Sequence, residues 1–189
     1  MPLGTDYAGQ TCSLARTLEV VGERWTLLIL RDLFFGVRRF TDLQRHLGVP
    51  RAVLAARLTA LVEHGLVERR PYGPGRDELV LTADGEALWP SVYALTQWGE
   101  RHRSPAGPLR LFSHTACGTD LAPAGHCPAC GIDPPPGDIE MRPGPGAGPP
   151  LRDDVVSVAL RRPRRLLTPL LPHPETIAAP GSPAPPLRH

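Results

Sequence analysis

Apolar residues recur at helical spacing almost from the start of the chain. Leu14, Ala15, Leu18 and Val21 line one side of a first segment that Gly22 interrupts. The next run, Trp25 to Phe34, is apolar on nearly every side, as expected of a central buried helix, and Gly36 ends it. Phe40, Leu43 and Leu47 then predict a short helix closed by Gly48. A further helix is expected from Pro50, because proline suits a helix start, with Val53, Leu54, Leu58, Leu61 and Val62 as its buried stripe and Gly65 as its end. Two short helices joined around a glycine form a helix-turn-helix, whose second helix is able to enter a DNA major groove.

The period then changes. Leu66 to Arg70 and Glu78 to Leu81 read as short strands around a turn rich in Gly73, Pro74 and Gly75, which makes a hairpin wing over 67–81. Thr82 is placed to cap a long helix running to about Arg103, with Leu88, Trp89, Val92, Tyr93, Leu95 and Trp98 as a broad apolar face. That face is wider than a domain of this size needs for its own core. A dimer partner would use it, and packing against the chain's own first helix is the alternative.

Composition separates this half from the rest. Of 24 prolines in 189 residues, five precede Ser104 and nineteen follow it, so one regular architecture cannot run through both halves. The chain contains no lysine, and its 21 basic residues are all arginine. Net charge is only +2, yet Arg31 to Arg76 holds nine arginines against four acids, a local basic surplus beside the helix-turn-helix and wing. Arg51 and Arg57 on the second helix are the candidates for reading base edges. Arg38, Arg39, Arg69, Arg70 and Arg76 are the candidates for phosphate contact. A solvated charge or an internal ion pair is the alternative for each of them.

No segment has the 18 or more apolar residues of a membrane span, and the first ten residues lack a basic leader, which points to a cytoplasmic protein. In that compartment cysteines serve as metal ligands or reactive thiols more often than as disulfides. His114 and Cys117, then Cys127 and Cys130, repeat an x2 ligand spacing, and Gly118 and Gly131 follow each second ligand. Three cysteines and one histidine satisfy tetrahedral zinc and leave no open position, so a structural zinc ion is expected in a ribbon-like knuckle over 110–133. A Cys127/Cys130 redox pair, or His126 in place of His114, are the competing arrangements. From Asp133 onward too few bulky apolar residues remain to suggest a core, and 134–189 reads as a Pro/Gly-rich linker and largely disordered tail; within it Asp154 to Leu171 is more apolar and contains Arg161 to Arg165, so a loosely docked element or a basic patch that adds DNA affinity are the other readings.

From Tyr7 to about Arg103 the chain resembles the HxlR-type winged helix-turn-helix transcriptional regulators. The resemblance is carried by Cys12, Gly22, Arg24-Trp25, Arg39-Phe40, Leu54, Arg57-Leu58, Gly65-Leu66-Val67, Arg69, Leu81-Thr82 and Gly85, in that order, and by the closing Gln97-Trp98-Gly99. It implies a homodimer on double-stranded operator DNA, with the N-terminal helix and the helix over 83–103 forming the interface. Where such regulators carry Ser and a Thr/Gln pair in the recognition helix, this chain has Pro50, Ala55 and Ala56, which removes a capping oxygen and two base-edge donors. The resemblance also implies that Cys12, at the start of the first helix, is a possible redox or electrophile sensor; an inert small residue is the other reading.

The sequence therefore predicts a mainly α (α+β) fold. An extension over 1–10 precedes a winged helix-turn-helix domain over 11–104 with a two-stranded wing, then the small zinc-ribbon-like knuckle and the tail. An enzyme is disfavoured, since there is no phosphate-binding glycine loop, nucleophile elbow or HExxH. The alternatives to DNA binding are a thiol-sensing regulator acting through Cys12 and a protein-interaction module built on a winged domain.

Overall fold

The computed structural model describes residue 7 and residues 9–149 and 152–171. Four helices open the fold: α1 (Ser13–Val21), α2 (Thr26–Phe34), α3 (Phe40–Leu47) and α4 (Arg51–Glu63). They follow the predicted segments closely. α2 sits at the centre, with Ile29, Leu30 and Phe34 fully buried, because its sequence offers apolar side chains on almost every face. Leu43 from α3 and Leu54, Leu58 and Leu61 from α4 close over it.

Strands β1 (Val67–Gly73) and β2 (Arg76–Leu81) form the antiparallel wing, with Val67 opposite Leu81 and Arg70 opposite Glu78. Val67, Leu79 and Leu81 face the core from the base of the hairpin, whereas its tip is exposed. Leu79 donates its N–H to the carbonyl of Arg38 at 2.8 Å, which ties the wing to the segment entering α3.

The single long helix expected after Thr82 is two helices, α5 (Ala83–Glu86) and α6 (Trp89–Arg103). The cap itself is present: Thr82 Oγ1 accepts the Gly85 N–H at 3.1 Å. α5 stops after one turn and α6 restarts with Pro90 in its first turn, where the missing N–H has no helical partner to lose. Trp89, Val92 and Tyr93 of α6 are buried, while Leu95 and Trp98 remain exposed.

Within 134–189, expected to be linker and tail, the described part carries regular structure, including a docked element over Asp154 to Leu171. β3 (Arg110–His114) pairs with β4 (Ile139–Pro143), and β4 pairs with β5 (Arg164–Arg165), giving a three-stranded antiparallel sheet that spans the expected knuckle and the expected linker. Ile139 and Met141 alternate inward on β4 and are fully buried, so five residues suffice for a strand despite the surrounding prolines. A short helix, α7 (Val155–Ala159), is capped by Asp154, whose carboxylate accepts the N–H groups of Val156 and Ser157. The chain then returns across the winged domain: Leu167 donates to the carbonyl of Phe34, and Leu170 to that of Gly36, both at 2.8 Å. The tail reading of 172–189 lies outside the described residues.

One core serves both halves. Phe112 on β3 lies edge-on to Trp89 and Tyr93 of α6, with ring centroids 5.5 and 5.4 Å apart, and stands 6.5 Å from Phe35 after α2. The sheet packs on the winged domain as a second layer.

Candidate nucleic-acid interface and metal-binding cluster

On α4 the outward residues are Arg51, Ala52, Ala55, Ala56, Thr59 and Glu63. The face is narrow in polar chemistry: of these, only Arg51, Thr59 and the closing Glu63 carry hydrogen-bonding side chains. The Arg51 guanidinium stands 4.9 Å from the centroid of the Phe40 ring, a cation-π contact that joins the start of α4 to the start of α3. Arg69, Arg70 and Arg76 are exposed on the wing, with Arg70 paired to Glu68 on the same strand. Arg39 lies over the ring of Tyr72 at 6.0 Å, bridging the entrance of α3 to the wing. Arg45, exposed at the end of α3, is a further arginine of the helix-turn-helix and was absent from the sequence candidates; its place in the last turn of the supporting helix was the available signal.

Two of the seven predicted arginines are turned to structural work. Arg38 donates to Glu78 on β2 at 3.2 Å and to the carbonyl of Leu167 at 2.7 Å, and its side chain is only 20% exposed. The returning C-terminal segment and the wing thus share its donors, the internal pairing that was the alternative to a phosphate contact. Arg57 is half-buried on α4 and pairs with Glu23 at 3.0 Å, in the loop between α1 and α2, the internal ion pair that was the alternative to base readout. Charge is evident in a sequence, but a partner 40 or 34 positions away is not.

Between α2 and α3 lies a group that sequence reasoning missed. Asp32 is wholly buried, and its carboxylate accepts Arg31 at 2.7 Å and contacts His46 Nδ1 at 2.6 Å. A buried carboxylate is stable only with such partners, and here they hold the supporting helix against the central one.

His114, Cys117, Cys127 and Cys130 converge: their ligand atoms all lie within 4.8 Å of one another. His114 ends β3, and its carbonyl accepts the N–H groups of Cys117 at 3.3 Å and Gly118 at 2.8 Å. The second loop repeats the turn, with Gly131 donating to the carbonyl of Cys127 at 2.9 Å. Gly118 and Gly131 both have φ of 70°, a conformation that costs glycine nothing and brings each loop back beneath its ligands. Cys117 Sγ is 3.6 Å from His114 Nδ1 and 3.5 Å from Cys127 Sγ. A tetrahedral ion with metal–sulfur bonds near 2.3 Å needs ligand separations of about 3.8 Å, so the four donors fit a metal of that kind.

The same crowding divides the thiols. Hydrogen bonds from Thr119, and then from Cys127 and Cys130, lower the Cys117 thiol to about 6, whereas its hydrogen bond to Cys117 and burial push Cys130 up to about 11. His126 stays outside this group and contacts Asp133 at 3.3 Å. Cys12 is exposed at the N-cap of α1, and Arg16 on the same helix pairs with Glu19 at 3.5 Å.

A helix-turn-helix followed by an arginine-bearing two-stranded wing defines the class of winged-helix DNA-binding regulators. The HxlR-like helix-turn-helix family model matches residues 20–107, and the chain belongs to that family. An HTH-type transcriptional regulator of Mycobacterium tuberculosis is 47% identical over 137 residues, covering 71% of this chain and 87% of the relative. That alignment is longer than the whole of 1–107, so the likeness reaches into the Cys/His module. The HTH-type transcriptional regulator YtfH of Escherichia coli is 39% identical over 100 residues, covering 51% of this chain and 79% of the relative. The solved structure of the redox regulator HypR in its reduced form is similar at 27% identity and a TM-score of 0.45, over 49% of this chain and 94% of that one. The family is one of transcriptional regulators, not enzymes. No helix among the described residues is long and apolar enough to cross a membrane.

Proposed function

We propose that the protein is a cytoplasmic, sequence-specific DNA-binding regulator that acts as a homodimer, with the recognition helix over 50–64 in the major groove and the wing over 67–81 on the backbone or in the minor groove. The observation that supports this reading is the exposure of arginines on each element of the helix-turn-helix and wing: Arg45 on α3, Arg51 on α4, and Arg69 and Arg76 on the wing. Arg51 is the base-reading residue, since guanidinium matches the paired acceptors of guanine. Arg39, Arg45, Arg69, Arg70 and Arg76 position the protein on phosphates. With alanine at 52, 55 and 56, direct readout rests on few groups, and affinity depends strongly on salt.

The dimer uses α1 and α6. Leu14 and Leu18 on α1 and Trp98 on α6 are large apolar side chains left 64%, 37% and 54% exposed, more than a monomer gains by keeping in water. The ion held by His114, Cys117, Cys127 and Cys130 is zinc, bound structurally: three thiolates and one imidazole fill a tetrahedral shell, and the chemistry it supplies is cross-linking of two loops. A second reading adds thiol sensing through Cys12, favoured by its exposure on the helix that carries Leu14 and Leu18, where an adduct would disturb the dimer face.

Binding of the full chain to random duplex, followed against salt, tests the first reading. A steep loss of affinity with salt is expected, and a flat curve rejects it. Arg51→Ala should relax sequence preference in a competition gel shift, whereas equal weakening on every sequence assigns Arg51 to phosphate. Sedimentation equilibrium of Leu18→Asp reports the dimer, and an unchanged mass rejects the α1/α6 face.

A further inference from the structure

We propose that the cleft between the winged domain and the appended sheet is a binding site for a small organic anion with an apolar body, of the aromatic or aliphatic monocarboxylate class. The cleft has a volume of about 980 Å³, within the range of small-molecule sites. α2 and α6 supply one wall through Leu27, Phe35, Val92 and Leu95. Pro143 at the end of β4 and Leu160 after α7 supply the other. None of the four metal-cluster residues lines it, nor any of the arginines assigned to DNA.

Its charge is unbalanced. Arg31, Arg103, Arg110, Arg152 and Arg161 line the cleft against a single carboxylate, Glu100. Arg31 is answered by Asp32 at 2.7 Å, and Arg152 donates to the carbonyl of His46 at 3.0 Å. Glu100 is already engaged by main chain, accepting the N–H groups of Leu109 at 2.8 Å and Arg110 at 3.1 Å. The Arg110 guanidinium is left between like charges. Burial and then the charge of Arg31 hold it below its ordinary value, with Arg161 adding to the effect and Glu100 opposing it only in part.

A cation drawn out of water and crowded by two others is stabilised by an anion in the same space. A carboxylate suits guanidinium best, since it accepts two parallel N–H groups. Apart from His46, Thr96, Ser104 and Ser157, the remaining side chains are mostly hydrocarbon, which favours a ligand whose body is apolar rather than a sugar or a free phosphate. The site exists only because β3, the segment after β4 and α7 pack across α2 and α6, so it belongs to the module that follows the winged domain.

Isothermal titration of the full metal-replete chain with naphthoate, and in parallel with the uncharged naphthylmethanol, tests the assignment. Naphthoate should bind at one site per chain, at least about tenfold more tightly than the alcohol, the ratio expected of one charge-assisted pair. Arg110→Gln should abolish that preference, and the exposed Arg161→Gln, which does not threaten folding, should reduce it. Absence of binding heat at millimolar naphthoate, equal affinity for the alcohol, or a preference untouched in both variants would overturn the proposal. Dissociation of a ligand-free dimer by Arg161→Gln would also overturn it, because a second copy would then be the occupant.

Discussion

The N–H of Leu170 donates to the carbonyl of Gly36 at 2.8 Å, and a Cβ at Gly36 would lie 1.9 Å from the carbonyl oxygen of Thr168. The last described segment therefore lies directly on the backbone that leads from α2 into the helix-turn-helix. Gly36 also has φ of 81°, which a side chain rarely tolerates. Gly36→Ala is expected to combine steric exclusion with backbone strain and cost about 2–4 kcal/mol. Thermal unfolding measures it, and a change under about 0.5 kcal/mol would show the strap to be loosely seated.

Asp32 joins α2 to α3 from a wholly buried position. Asp32→Ala leaves Arg31 and His46 without their shared acceptor and should cost about 3 kcal/mol, given the penalty for breaking a buried pair. Chemical denaturation of the two proteins checks the value. Loss of DNA affinity greater than the loss of folded fraction would add that this pair orients the supporting helix.

Metal removal should be graded by burial. Cys127 is fully buried and Cys130 exposed, so Cys127→Ser is expected to abolish metal retention and destabilise the sheet more than Cys130→Ser. Protons compete with the ion for thiolate and imidazole, and retention should fall as pH is lowered. Metal content by mass spectrometry after dialysis at stepped pH reports both effects.

Tyr93 supplies an alkaline signature. Burial, and then the charge of Asp120, push its hydroxyl up to about 12, and it donates to the carbonyl of Ala122 at 3.1 Å. The folded state thus holds this proton more tightly than the unfolded chain, whose tyrosine titrates near 10. The stabilisation is complete below about pH 10 and is lost as pH rises through about 12. Tyr93→Phe should flatten that part of the melting curve against pH, at the cost of about 1 kcal/mol for the lost hydrogen bond at neutral pH.

Much of the winged domain was legible because periodicity and punctuation agreed. Leu43 and Leu47 before Gly48, and Leu54, Leu58 and Leu61 after Pro50, each mark a face and an end. The ligand spacing of His114, Cys117, Cys127 and Cys130 likewise reported its own geometry. What escaped was of two kinds. β4 was hidden by its neighbours: Ile139 and Met141 alternate as a strand should, but the prolines around them dominate any average over the segment. The pairs Arg38–Glu78, Arg57–Glu23 and Asp32–His46 were hidden by sequence distance, since an ion pair that depends on how helices pack leaves no local trace.

The edge of the family match at residue 107 falls between Trp89 and Tyr93 on one side and Phe112 on the other, three rings that touch. A fragment cut there would carry away half of an aromatic cluster and leave the other half in water. The winged domain of this chain is accordingly not a portable unit. Whatever the appended sheet experiences is felt first by α6, which carries Trp89 and Tyr93 against Phe112 and leaves Trp98 exposed, so changes in the sheet have a direct mechanical route into the winged domain.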